Sequence, residues 1–180
     1  MDRNARLNIR ARTDAKLLYA KIHLEELRAR GTNGGTDFDR AFQESFLFHL
    51  LGAIDAFAIE LNAYYSGNLA GLGLTRGSLR DALNKRGIVS AELAELYTLE
   101  NDGATWLFHA KAMRDHSTHV SGVPRAYHMG GPNHGKVFLR NPNTGNHVES
   151  HVLDAFADWL HNMTTLLERL RATALATNAL

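Results

Sequence analysis

With 180 residues, 44% of them hydrophobic and 22% charged, the chain is long enough for a domain with its own core and has an ordinary globular composition. It contains no cysteine, which excludes disulfide frameworks, thiolate nucleophiles and cysteine-held metals and fits a cytoplasmic protein. The net charge of +1 gives no bulk attraction to nucleic acid, but the charge is unevenly spread. Arg3 to Lys21 holds six basic residues against Asp14 alone. His109 to His151 holds seven of the ten histidines with Lys111, Arg114, Arg125, Lys136 and Arg140, a region that becomes strongly cationic near pH 6.

The first twelve residues carry four arginines and no apolar run, so they do not read as a secretory signal. A first helix is expected from about Leu7 to Ala29, with Leu17, Leu18, Ile22, Leu24 and Leu27 among its apolar positions. Gly31 to Gly35 is a turn cluster. Thr36 or Asp37 then caps a long second helix reaching about Tyr65. Its apolar stripe is Phe42, Phe46, Leu50, Ala53, Phe57, Leu61 and Tyr64; Phe48 and Ile59 point away from it. The apolar run Phe46 to Ile59, interrupted by His49 and Asp55, is expected to be too short and too polar for a bilayer.

Gly67 to Gly77 reads as a connection, lacking the lysine and the order of a phosphate-binding loop. Ser78 to Arg86 is a short helix. Ser90 caps the next, which ends near Asn101-Asp102-Gly103. A further helix runs from about Ala104 to His119 and is stopped by Gly122 and Pro124. Val123 to His147 holds all three prolines and reads as a small hairpin or ordered loop. A last helix is expected from about Glu149 to Ala172, burying Val152, Phe156, Trp159, Leu160, Met163, Leu167 and Leu170. With no repeat and no linker, residues 1–180 form one all-α, up-and-down bundle of about five helices, with one irregular excursion near 123–148.

Arg114-Asp115-His116-Ser117-Thr118-His119 is the stretch with the most chemistry. Composition alone produces roughly two or three R-x(4–6)-H matches. Two occur, the other being Arg140 with His147 across a Pro-Gly turn. Context rather than counting therefore carries the reading. Arg114 and His119 stand about 140° apart around a helix, and Asp115 about 40° from His119. From there Asp115 can hydrogen-bond one ring nitrogen of His119 and fix the tautomer of the other.

A helical chain of this size with R-x4-H near a helix end, and Asp after the Arg, resembles the HEPN superfamily. Asp55-x4-Glu60-x-Asn62 on the second helix is similar to acidic and amide positions in some members. The resemblance spans roughly Thr36 to Arg171. It implies a metal-independent endoribonuclease acting as a homodimer, with two motif helices lining one cleft that binds RNA. It also implies, for some members, an antitoxin-type nucleotidyltransferase partner. His119 would act as base or acid and Arg114 as the cation for the phosphorane, with His116 competing for the histidine's role. His116, Lys111, Arg125 and Tyr127 are the candidate substrate contacts. No cofactor, metal or membrane is expected.

Two other readings stand beside it. The first is a non-catalytic helical binding or assembly module, in which Arg114 and Asp115 are surface residues and His119 satisfies a helix C-terminus. The second is a histidine-ligated metal bundle built from His109, His116 and His119 with His23, His49 or His161. Against the metal, no H-x3-H or E-x2-H pair sets two ligands on one helix face. His128, His134, His147 and His151 read as exposed loop residues, or as RNA contacts under the first reading. The aromatics at helical spacing, Trp106 and Phe108 among them, read as core.

Overall fold

The computed structural model describes residues 3–31, 36–66, 69, 74–120 and 122–177. Six α-helices are present among them: α1 (Arg3–Arg30), α2 (Asp37–Tyr64), α3 (Arg76–Lys85), α4 (Ala91–Asn101), α5 (Trp106–His119) and α6 (Val152–Thr177). Helices hold 73% of the described residues, so the all-α class stands. Three short strands, β1 (Arg125–Tyr127), β2 (Val137–Arg140) and β3 (His147–His151), lie between α5 and α6.

Side-chain oxygens start four of these helices. Thr36 accepts from the Asp39 amide and the Asp39 carboxylate accepts from the Thr36 amide, a reciprocal capping box. Thr75 and Ser78 repeat the arrangement on α3, which therefore begins at Arg76, just before the expected Ser78. Ser90 caps α4 and Thr105 caps α5 by accepting from Leu93 and Phe108.

α2 is the axis of the bundle. Phe46, Leu50, Ala53, Phe57 and Leu61 of its stripe are fully buried, and Phe42 and Tyr64 pack at its two ends. α1 runs antiparallel along it, setting Arg30 over Phe38, His23 against Phe42 and Lys16 against Gly52. α6 runs parallel to α2. The rings of Phe46 and Phe156 stack at 4.4 Å, and Arg171 meets Glu60 near the other end. By length and composition α2 does pass for a membrane span, against the sequence expectation, but 61% of its apolar window is buried inside the bundle. It passes because a core helix is apolar on several sides.

The excursion after α5 is a three-stranded antiparallel sheet in the order β1-β2-β3, more than a hairpin. Ala126 pairs with Phe138, and Arg140 with His147, with a register shift along the second pairing. Val137 and Leu139 turn inward from β2 and are buried. The expected start of the last helix is corrected here. Glu149, Ser150 and His151 belong to β3, because pairing with β2 outweighs their local preference, and α6 starts at Val152.

Asn141 fixes the β2–β3 turn. Fully buried, it accepts the Asn143 and Thr144 amides at Oδ1 and donates from Nδ2 to His109 Nδ1 at 2.7 Å. Gly145, at φ 72°, closes the turn in a backbone region that suits glycine. The sheet is thereby tied to α5.

Candidate functional site

α5 buries Leu107, Ala110 and Met113 completely. Its last turns present the rest. Arg114, Asp115, His116 and Ser117 are half-buried, and Thr118 and His119 are exposed. The Arg114 carbonyl accepts from the Ser117 and Thr118 hydroxyls at 3.0 and 2.9 Å, which orders this end of the helix.

Arg114 and Asp115 come together, though not as the helical spacing suggested. Asp115 Oδ1 accepts from Arg114 Nε at 3.0 Å and Nη2 at 2.8 Å, so this oxygen holds the arginine instead of orienting His119. A guanidinium has five N–H donors in a planar fork. The others meet no protein acceptor among the described residues, and the Arg114 side chain keeps 34% of its surface open.

The remaining candidates spread away from the helix end. Lys111 is half-buried on α5. Arg125 opens β1 and donates to the Val123 carbonyl at 3.2 Å. Burial pulls its pKa below the usual arginine value, with Tyr127 and Asp39 opposing that shift and Arg40 adding to it. Tyr127 is 62% exposed, so it does not anchor the loop. The Asp55, Glu60 and Asn62 positions also separate. Glu60 is wholly buried against Arg171, Asn62 brackets the Leu69 backbone, and only Asp55 is exposed.

Among the described residues, no three His, Asp or Glu side chains stand where they could hold one metal ion. Three of the histidines weighed as ligands are otherwise engaged. His109 accepts from Asn141, and His23 and His49 stack face to face at 5.4 Å between α1 and α2. Burial lowers the pKa of all three. They are neutral packing groups at neutral pH.

Two clefts bear on binding. The wider, about 1120 Å³, lies where the sheet meets the start of α6 and is lined by His128, His147, His151 and Lys136 with Asp154 opposite. The tighter, about 240 Å³, lies between α1, α2 and α5. Arg12 and Lys16 line it from α1, Phe48 and Asp55 from α2, and Arg114 from α5. Sequence reasoning missed this grouping, although two signals for it were present: the basic excess of Arg3 to Lys21, and Phe48 and Ile59 lying off the core stripe. Both of those residues line the cleft.

Comparison with curated proteins finds no match, and comparison with solved structures finds none either. The family described as "Family of unknown function (DUF6586)" matches residues 7–176. That description carries no activity and no link to the HEPN resemblance. The match runs from the second turn of α1 to the last turn of α6 and takes in everything between, and the chain belongs to the DUF6586 family.

Proposed function

We propose that this chain is a metal-independent endoribonuclease of the HEPN type, acting on RNA at Arg114 and His119 from a cytoplasmic homodimer. The observation that carries the reading is at the end of α5. His119 is open to solvent there, and Arg114, one turn earlier, faces a cationic cleft with donors to spare. In the reaction the ribose 2′-oxygen attacks the adjacent phosphorus and the bond from phosphorus to O5′ breaks. His119 takes the 2′-hydroxyl proton, and a solvent water gives the departing 5′ oxygen its proton. Arg114 holds the extra negative charge of the phosphorane, with Asp115 fixing the guanidinium plane. The products are a 2′,3′-cyclic phosphate and a 5′-hydroxyl. Val120, Tyr127 and Met129 follow His119 in the chain as exposed apolar side chains, surface of a kind that a second copy covers.

The test is RNA cleavage in excess EDTA by the wild type and by His119→Ala, with circular dichroism to check folding. The expected loss is about 10²- to 10⁴-fold, the usual contribution of a general acid or base. Cleavage that persists in a folded His119→Ala protein removes His119 from the mechanism. One observation favours a second reading, a non-catalytic RNA-binding module. Asp115 occupies two Arg114 donors and makes no bond to His119, so the histidine lacks the carboxylate that would set its tautomer. Wild-type protein that binds RNA without cutting it selects that reading.

A further inference from the structure

The tighter cleft has a composition that the fold does not require. Arg12 and Lys16 form no salt bridge with any described acid, although both stand on a helix whose neighbours are extensively paired. The acid in the lining, Asp55, already faces Arg76 at 3.5 Å. Phe48 is 59% exposed on the central helix of the bundle. Lys16 Nζ lies 4.7 Å from the centre of that ring and 3.5 Å from His49 Nδ1. The Lys16 stem crosses α2 at Gly52, where a Cβ would make an ordinary van der Waals contact with its Cδ at 3.5 Å.

We propose that this cleft binds one nucleotide step of single-stranded RNA. Arg12 and Lys16 would hold a phosphate, and Phe48 would supply the apolar surface for the neighbouring base. Cations that track a backbone beside an exposed aromatic ring are the chemistry that recognises single strands without reading sequence. Arg114 belongs both to this lining and to the α5 motif, so a strand with its scissile phosphate at Arg114 has the adjacent step in the cleft. The inference rests on the reading of Arg114 as a phosphate contact. It adds a substrate class, unpaired RNA, and a binding subsite formed by α1 and α2.

The experiment measures binding of a short fluorescent unpaired oligoribonucleotide by anisotropy, in EDTA, over a salt series. The full chain carries His119→Ala so that the probe survives. Arg12→Gln/Lys16→Gln keeps side-chain length and removes two charges. Arg28→Gln/Lys85→Gln removes two charges from exposed positions elsewhere. Thermal melts establish that each variant is folded. The slope of log K against log salt is expected to flatten by about 0.7 in the first pair, since the two cations hold one phosphate and each phosphate contact on a single strand contributes about 0.7. It should be unchanged in the second pair. Phe48→Ala is expected to weaken binding roughly fivefold or more with the slope intact, the signature of a lost stack. The inference is overturned if the two charge pairs behave alike, if Phe48→Ala binds as the parent does, if inorganic phosphate displaces the probe as effectively as unlabelled RNA, or if the parent does not bind. Binding with these dependences but no cleavage by the wild type keeps the cleft and removes the ribonuclease. Cleavage that needs His119, with binding indifferent to Arg12, Lys16 and Phe48, does the reverse.

Discussion

Arg171 and Arg114 are the same side chain used in opposite ways at two places in one bundle. Arg171, on α6, is 3% exposed and spends its donors on protein. It holds both oxygens of Glu60 at 2.9 and 2.8 Å, Asp14 at 2.9 Å and Glu168 at 2.9 Å, joining α1, α2 and α6. Burial by itself would lower its pKa, but the bonds and charges of Glu60 and Asp14 carry it above the usual arginine value. Arg114 has one chain neighbour as its acceptor and one third of its surface in water. A guanidinium with four of its five N–H donors met by carboxylates is a structural tie. One with donors left over, beside two cations without acidic partners, has capacity for a ligand.

The sharpest way to break that contrast is Arg171→Met. It strands the Glu60 carboxylate, which is 0% exposed, with the Tyr64 hydroxyl at 3.4 Å as its one remaining partner among the described residues. Removing one partner of a buried pair costs about 3–5 kcal/mol, and urea denaturation reads that loss directly. Adding Glu60→Leu removes the stranded charge and should recover a good part of it. If the double variant is no more stable than Arg171→Met alone, charge burial is not what Arg171 relieves. Arg114→Met under the same conditions should change stability by less than about 1 kcal/mol, as half-exposed pairs do.

A smaller effect is expected from the histidines between α1 and α2. Burial lowers the pKa of His23 below 6.5, and burial with the Lys16 charge and then His23 lowers that of His49. The unfolded chain therefore binds protons that the folded chain refuses. Stability should be full above about pH 6.5 and decline as pH falls below it, levelling off once the folded histidines protonate. His23→Phe/His49→Phe should flatten this decline in denaturation midpoints measured from pH 7.5 to 5. An unchanged slope would place the acid sensitivity elsewhere, His109 being next.

The helices were legible because their signals are local. The capping oxygens of Thr36 and Ser90 and the stripe from Phe46 to Leu61 can be read one residue at a time. What could not be read depends on partners far away in the chain. Glu149 to His151 look like a helix start until β2 pairs with them. Asn141 looks like a turn residue until His109, 32 positions earlier, accepts from it. Glu60 sits in an acidic pattern that suggested chemistry, yet its partner is Arg171, 111 positions on. The motif itself was visible at α5. Its surroundings were not, because Arg12, Lys16 and Phe48 reach Arg114 from two other helices. The basic excess of Arg3 to Lys21 and the displaced positions of Phe48 and Ile59 on their helix were the local hints.

The smallest predicted effect sharpens the comparison most, because it repeats the chemistry of Arg171 in a different place. Arg169 also grips a carboxylate with two nitrogens, those of Nη1 and Nη2 on Glu95, and it stands two residues from Arg171 on the same helix. Hydrogen bonding to Arg169 lowers the Glu95 pKa. A lowered carboxylate pKa adds stability that is present above the unfolded pKa and lost as pH falls through the folded one. Here, however, the two side chains are 54% and 35% exposed, so water and salt screen the pair. Arg169→Ala with Glu95→Ala in a double-mutant cycle should give a coupling of about 0.2–1 kcal/mol, shrinking further at 1 M salt. A coupling near that of Arg171 with Glu60 would mean that geometry, and not burial, sets the strength of these pairs. The distinction drawn between Arg171 and Arg114 would then have to rest on the count of acceptors alone.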